Sequence, residues 1–197
     1  GGSLFARVSL PRVLGDHMVL QRNKEIVIWG WAAPREKVVV SFAHDTKKTR
    51  ADRDGNWEVT LPARQAGGPY QMVIEGRDNK IVLDSILVGD LWVCSGQSNM
   101  EWPLARVNNA EEEILQASHP QIRLFEVPRN LQPAPVSDLP GGAWEVCSPA
   151  TIENFSAVGY FFGREIHREV GVPVGLISTN WGGTNVETWT SRETALQ

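Results

Sequence analysis

Apolar and polar positions alternate over short stretches through the first 85 residues or so. Ile26-Val27-Ile28-Trp29-Gly30-Trp31 and Val38-Val39-Val40-Ser41-Phe42 are β-branched and aromatic runs divided by Ala32-Ala33-Pro34. Thr49-Arg50-Ala51-Asp52 and Trp57-Glu58-Val59-Thr60-Leu61 follow, with an Asp54-Gly55 pair between them that suits a tight hairpin turn. Gln71 to Glu75 and Lys80 to Leu83 complete the set. Strands of this length and spacing predict a small all-β sandwich over residues 1–86, and no segment there has a helical period.

The pattern changes at residue 87, with a linker expected near Asp84 to Gly89. Leu87 to Cys94 is a mostly apolar run, which predicts a strand buried on both faces. Glu111 to Ala117 reads as a short helix, with Asn108 or Asn109 as its cap and its acidic run at the positive end. Ile122 to Val127 is the next strand, and Pro128 to about Asn154, with Pro133, Pro135, Pro140 and Gly141-Gly142, reads as irregular. Over Ala157 to Val170 apolar residues recur at Val158, Phe162, Ile166 and Val170, widened by Phe161. That stripe predicts a helix, with Gly171 as its left-handed stop. Val174 to Thr179 is one more strand. Strand, helix, strand, helix, strand is the order of a parallel α/β layer, and residues 87–197 hold about half of one. Thr190 to Gln197 reads as the start of an element that nothing closes, so the chain reads as a fragment.

Composition narrows the chemistry. The 19 basic and 23 acidic residues leave a net charge of −4, so no broad cationic field favours nucleic acid. No apolar run reaches the roughly 18 residues that a membrane span needs. Two cysteines, Cys94 and Cys147, can form one disulfide but neither a disulfide framework nor a cysteine zinc site. The four histidines lack paired ligand spacing, and no metal or other cofactor is expected.

Two segments follow strands expected to be buried, where an open α/β sheet binds its ligands. In Cys94-Ser95-Gly96-Gln97-Ser98-Asn99-Met100 a sharp turn would lift the Ser98 hydroxyl into solvent beside backbone N–H groups, as a nucleophile requires. The competing reading is a loop in which Ser95 or Ser98 caps the next turn and Asn99 bonds its own backbone. Met100 stands where a Gly-x-Ser-x-Gly elbow has its second glycine. In Asn180-Trp181-Gly182-Gly183-Thr184-Asn185 the glycine pair either aims N–H groups at an anion or makes a plain turn. Both segments lack the lysine and glycine spacing of a phosphate loop.

Gly96-Gln97-Ser98-Asn99-Met100, Gly175-Leu176-Ile177 and Trp181-Gly182-Gly183-Thr184 together resemble the sialate O-acetylesterase family of the GDSL/SGNH hydrolases. Asp16-His17-Met18-Val19-Leu20-Gln21-Arg22, Asp54-Gly55-Asn56-Trp57 and Val88-Gly89-Asp90-Leu91-Trp92-Val93 extend the resemblance over nearly the whole chain. It implies an α/β fold: a partial SGNH-hydrolase-like parallel sheet layer preceded by a small all-β sandwich domain. It also implies a carboxylic-ester hydrolase that removes O-acetyl groups from carbohydrate, sialic acid above all, through a serine acyl-enzyme. On the matching positions Ser98 is the nucleophile and one oxyanion donor, and Gly182 or Gly183 is the second. Family members further use an Asn in a Gln-Gly-Glu-x-Asn-like segment and a late Asp/His pair, neither of which is recognisable here. The resemblance therefore implies that a C-terminal half or a second subunit supplies the Asp and His, and that residues 1–197 alone are inactive or weakly active. It suggests a periplasmic or secreted location.

Around these segments, Gln97, Asn99, Glu101, Trp181 and Thr184 are the candidates for substrate binding. None of the histidines reads as the base: His44 suits a solvated turn, His119 a helix end, His167 a solvent-facing helical position, and His17 a structural place near the junction of the two regions. A glycoside hydrolase with paired carboxylates, Glu101 and Glu187 among them, is one alternative. A carbohydrate-binding module with Trp29, Trp31 and Trp57 as a platform is another. Trp102, Trp181 and Trp189 either stack on a sugar or pack, and Arg106 meets either an acidic sugar's carboxylate or the run Glu111 to Glu113.

Overall fold

A computed structural model of the chain describes residues 7–132 and 134–195. Pro133, expected in the irregular stretch, and the last two residues of the expected closing element lie outside the described residues.

The strands β1 (Val19–Gln21), β2 (Ile26–Trp31), β3 (Lys37–Phe42), β4 (Asp45–Arg50), β5 (Asn56–Leu61) and β6 (Gly67–Glu75) precede the long strand β7 (Lys80–Gly96). Period-2 alternation decides their faces. Ile26 and Ile28 of β2 point inward while Val27 and Trp29 point out, and β5 buries Trp57, Val59 and Leu61. The antiparallel β2–β5 ribbon covers a sheet ordered β4-β3-β6-β7. Their inner faces share one core with Val38, Val40, Phe42, Met72 and Ile74. This is the expected sandwich.

Its connections differ from expectation. The Asp54-Gly55 turn joins no hairpin, because β4 pairs with β3 and β5 with β2. Asp52 instead folds this turn by accepting from the amides of Asp54 and Asn56, each at 2.9 Å. The hairpin forms at Ala43-His44, where Phe42 pairs with Asp45. Nor is there a linker near Asp84 to Gly89: that stretch lies within the 17-residue β7, paired with β1 and β6. One strand passes from the sandwich into the α/β layer.

That layer adds α1 (Ser98–Glu101), α2 (Ala110–Gln116), β8 (His119–Glu126), β9 (Trp144–Cys147), α3 (Ala157–Val170), β10 (Val174–Asn180) and α4 (Arg192–Ala195). β10 runs parallel to both β7 and β8, and β9 closes the far edge antiparallel to β8. Strand β9 falls inside the stretch that reads as irregular; its Trp144 and Val146 are too short a β-type run to stand out in a Pro- and Gly-rich segment. Arg123 of β8 is buried at the seam with the sandwich, donating to His17 Nδ1 at 3.0 Å and to Ser85 Oγ at 3.3 Å. His17 therefore accepts through Nδ1 and has a structural place, as expected.

Two burial expectations are corrected. Beyond Gly89 only one edge of β7 is paired within this layer, and Trp92 (42% exposed) and Val93 (63%) show that it is not buried on both faces. Helix α3 has its expected span, opened by Ser156, whose Oγ accepts from Gly159 N at 3.1 Å, and stopped at Gly171. Its buried side, however, is Ala157, Gly159, Tyr160 and Gly163, while Val158, Phe162 and Val170 face out. Small residues let the helix approach the sheet at Leu176; of the expected stripe, Phe161 and Ile166 are partly buried against the core, and Phe162 meets the Trp92 ring edge-on at 4.9 Å. Helix α2 starts at Asn109 without the expected side-chain cap bond, and Glu113 reaches across to Arg164 at 2.6 Å.

The passage of β7 between layers requires close backbone contact, since a Cβ at Gly89 would run into the Pro173 carbonyl. Gly89→Ala is expected to destabilise the chain by about 2–3 kcal/mol, read as a lowered urea midpoint at unchanged m-value.

Candidate active site

Strand β7 and strand β10 end at the same level, because Asn180 is registered against Gly96. The amide of Trp181 then donates to the Gly96 carbonyl at 3.0 Å. Gly96 has φ +146°, a conformation that L side chains rarely adopt, and this turns the chain sharply out of the strand. Ser98 is therefore delivered to the first position of α1. It is exposed, and its hydroxyl has no hydrogen-bond partner among the described residues.

The glycine turn lies directly against it. A Cβ built on Gly182 would stand 3.4 Å from Ser98 Cα and 2.5 Å from Glu101 Oε2, so a side chain here would displace the Glu101 carboxylate. The N–H of Gly182 donates to the Glu101 carboxylate, which also takes a bond from Arg129. Gly183, at φ +78°, has open space where a Cβ would be, and its N–H has no partner among the described residues.

The remaining candidates divide between struts and free groups. The Gln97 amide donates to the Thr184 carbonyl, tying the serine loop to the glycine turn. The Thr184 hydroxyl donates to the Trp181 carbonyl at 2.7 Å and accepts from Trp189 Nε1 at 2.8 Å. Trp181 lies beneath Arg129, whose guanidinium stands 5.6 Å from the ring centroid. Asn99 is exposed and forms no side-chain bond, and Glu187 is exposed without an ion pair.

A polar cleft of about 230 Å³ adjoins Glu101, lined also by Arg106, Glu126, Arg129, Asn154 and Asn180. Larger clefts lie on the β sandwich, where it meets Asp138 and Trp144, and beside His119 and Arg164, and none of these is lined by Ser98. Glu126, Arg129, Asn154 and Asn180 are missing from the candidates read in sequence. Glu126 and Asn180 end two strands of the α/β layer, which is the signal that would have marked them. Desolvation raises the Glu126 carboxyl above the usual carboxylate range, opposed by a hydrogen bond from Ser178. Arg106 does not meet Glu111 to Glu113; its guanidinium lies 5.8 Å from the Trp102 ring centroid.

The histidines stand elsewhere. His119 opens β8 at the opposite end of the parallel sheet, 3.4 Å from the Tyr160 hydroxyl, and burial lowers its pKa. His167 is bonded through Nδ1 to the Val172 carbonyl at 2.7 Å, ahead of β10. His17 is held by Arg123 and His44 occupies the β3–β4 turn. Among the described residues no group of His, Cys, Asp and Glu is arranged to hold a metal, and no helix is long and apolar enough to cross a membrane. The tryptophan platform does not form, since Trp57 is 3% exposed and packs against Gly30 inside the sandwich while Trp29 faces out.

The family model described as carbohydrate esterase, sialic acid-specific acetylesterase matches residues 88–197. The chain is 32% identical to the sialate O-acetylesterase of Mus musculus over 97% of its own length, and 31% identical to that of Homo sapiens over 90%. It is similar to the crystal structure of XAC1771, a carbohydrate acetylesterase from Xanthomonas citri, with a TM-score of 0.93, 39% identity and 95% of this chain covered. The chain spans about two fifths of each relative: 40% of the mouse protein and 43% of the Xanthomonas chain.

Both cysteines are free and buried, and burial raises both thiols, Cys147 to about 12. Iodoacetamide at mildly alkaline pH is expected to modify neither in the native chain and both after unfolding. A raised folded pKa stabilises below the unfolded value and is lost as pH climbs from there toward the folded one. The stability difference between wild type and Cys147→Ala should thus shrink by about 1.4 kcal/mol per pH unit above about pH 9, followed by urea denaturation.

Proposed function

The chain belongs to the carbohydrate esterases of the sialic acid-specific acetylesterase family, and on that premise we propose that it carries the nucleophile of a serine esterase removing O-acetyl groups from carbohydrate, sialic acid first. The observation that supports this reading is the free, exposed Ser98 hydroxyl set against the glycine turn.

In this reading Ser98 Oγ attacks the acetyl carbonyl carbon while a histidine takes its proton. Negative charge gathers on the former carbonyl oxygen, where the amides of Ser98 and the glycine turn receive it. Gly183 has the uncommitted N–H of that turn, and Gly182 becomes a donor only when Glu101 gives it up. One well-placed donor of this kind is worth about 3–4 kcal/mol in the transition state. The histidinium then protonates the departing sugar oxygen, and water, deprotonated by the same histidine, releases acetate from Ser98.

The base comes from outside the described residues, since none of the histidines adjoins Ser98. A C-terminal half or a second subunit supplies it together with its Asp. The surface that receives this partner is the open edge of β7 with Trp92 and Val93, flanked by Val158 and Phe162 of α3. An unpaired strand edge with exposed apolar side chains favours association.

Residues 1–197 alone are expected to hydrolyse p-nitrophenyl acetate weakly or not at all. In a longer polypeptide that includes the late Asp/His pair, Ser98→Ala should lower kcat by ~10⁴-fold or more. Turnover by the longer protein that survives this substitution would remove Ser98 from the reaction.

A further inference from the structure

The cleft beside Glu101 carries two charged side chains that the protein leaves without an ionic partner. Arg129 and Glu101 lining it satisfy each other. Arg106 and Glu126 line the same cleft, yet neither forms an ion pair with any described residue. Each is nevertheless held in place. The Arg106 guanidinium rests over the Trp102 ring, and Trp102 Nε1 donates to the Arg106 carbonyl at 3.1 Å. Glu126 is registered against Ser178 across the paired strands, and the Ser178 hydroxyl, which favours its charged form, accepts from Asn180 Nδ2 at 2.7 Å; Ser178 and Asn180 are both buried. The wall between them is pinned by the bridge of Pro103 to Ser156 and by Ala157 N donating to the Trp102 carbonyl at 2.9 Å.

A preorganised cation and a preorganised carboxylate facing one cleft without touching fit a ligand with the complementary pair of groups. We propose that this cleft is the subsite for the acidic sugar that bears the acetyl ester: Arg106 receives its carboxylate, and Glu126 accepts from a hydroxyl or amide N–H on the same ring. Asn154, exposed and without a side-chain bond, adds an amide at the rim. The position suits this role, because Glu101 lines the cleft while its carboxylate holds Gly182 beside Ser98. A sugar seated here presents its ring hydroxyls toward the nucleophile. The proposal rests on the esterase reading for the placement of the acetyl group but assigns the acid-recognising residues separately from the chemistry.

The test uses ligands without an acetyl ester, so that the fate of the esterase reading does not enter. Binding of free N-acetylneuraminic acid and of its methyl ester to the whole chain is measured by titration calorimetry or ligand-observed NMR. The wild type should prefer the acid by about tenfold or more, since a charge-assisted bond is lost in the ester. Arg106→Gln should erase that preference, and Glu126→Gln should weaken both ligands alike. Both side chains are exposed, and an unchanged thermal melt shows that the variants fold. Equal binding of acid and ester by the wild type, an Arg106→Gln variant that keeps the preference, or no saturable binding would each overturn the assignment. Failure of Ser98→Ala to affect ester turnover would count against the esterase reading and leave this result standing.

Discussion

The arrangement of the site depends on the parallel register between β7 and β10. Seven residues of β10, Val174 to Asn180, pair with Asp90 to Gly96, so the two strands finish together. Slipping this register by one residue would exchange the faces of every side chain on β10 and lift the glycine turn away from Ser98. The pairing is held by burial as well as by its hydrogen bonds. Val174 and Leu176 are fully buried against Ile122 and Leu124 of β8 on one face, and each such side chain is worth about 1.5–3 kcal/mol over its exposed form. Hydrophobic packing beneath the sheet thus sets a polar juxtaposition at its rim.

At that rim a single carboxylate does the joining. Glu101 stands one turn after Ser98 on α1, accepts the N–H of Gly182, and is bonded by Arg129 from the irregular segment after β8. Three parts of the chain meet on one side chain. The contact also shows that the glycine turn is suited to negative charge, since the free chain already keeps a carboxylate there.

The period-2 signals were legible because a strand in a sandwich has one wet and one dry face, and the alternation in β2, β3 and β5 records that directly. Partner choice was not. Asp54-Gly55 has the chemistry of a hairpin turn, yet β5 finds β2 across the sandwich, where Trp57 packs against Gly30. The stripe on α3 was legible as helix but misleading as to face: Gly159 and Gly163 give no hydropathy signal, although their smallness brings the helix against Cys94 and Leu176. In the same way Ser98, Gly182 and Gly183 were visible as candidates through their local turn chemistry. Arg129 and Asn154 were not, because nothing local distinguishes a residue whose neighbours come from other strands.

Sequence alone determined the two regimes, the α3 span from Ala157 to Val170 with its stop at Gly171, and the two glycine-containing turns. All of these are set by interactions among residues close along the chain. Tertiary structure decided that β7 is one strand shared by both regimes, that the two turns face each other, and that Gly182 is committed to Glu101 while Gly183 is free. Those outcomes depend on pairing between residues some eighty positions apart, and the free energy that selects them comes from burying the strands between.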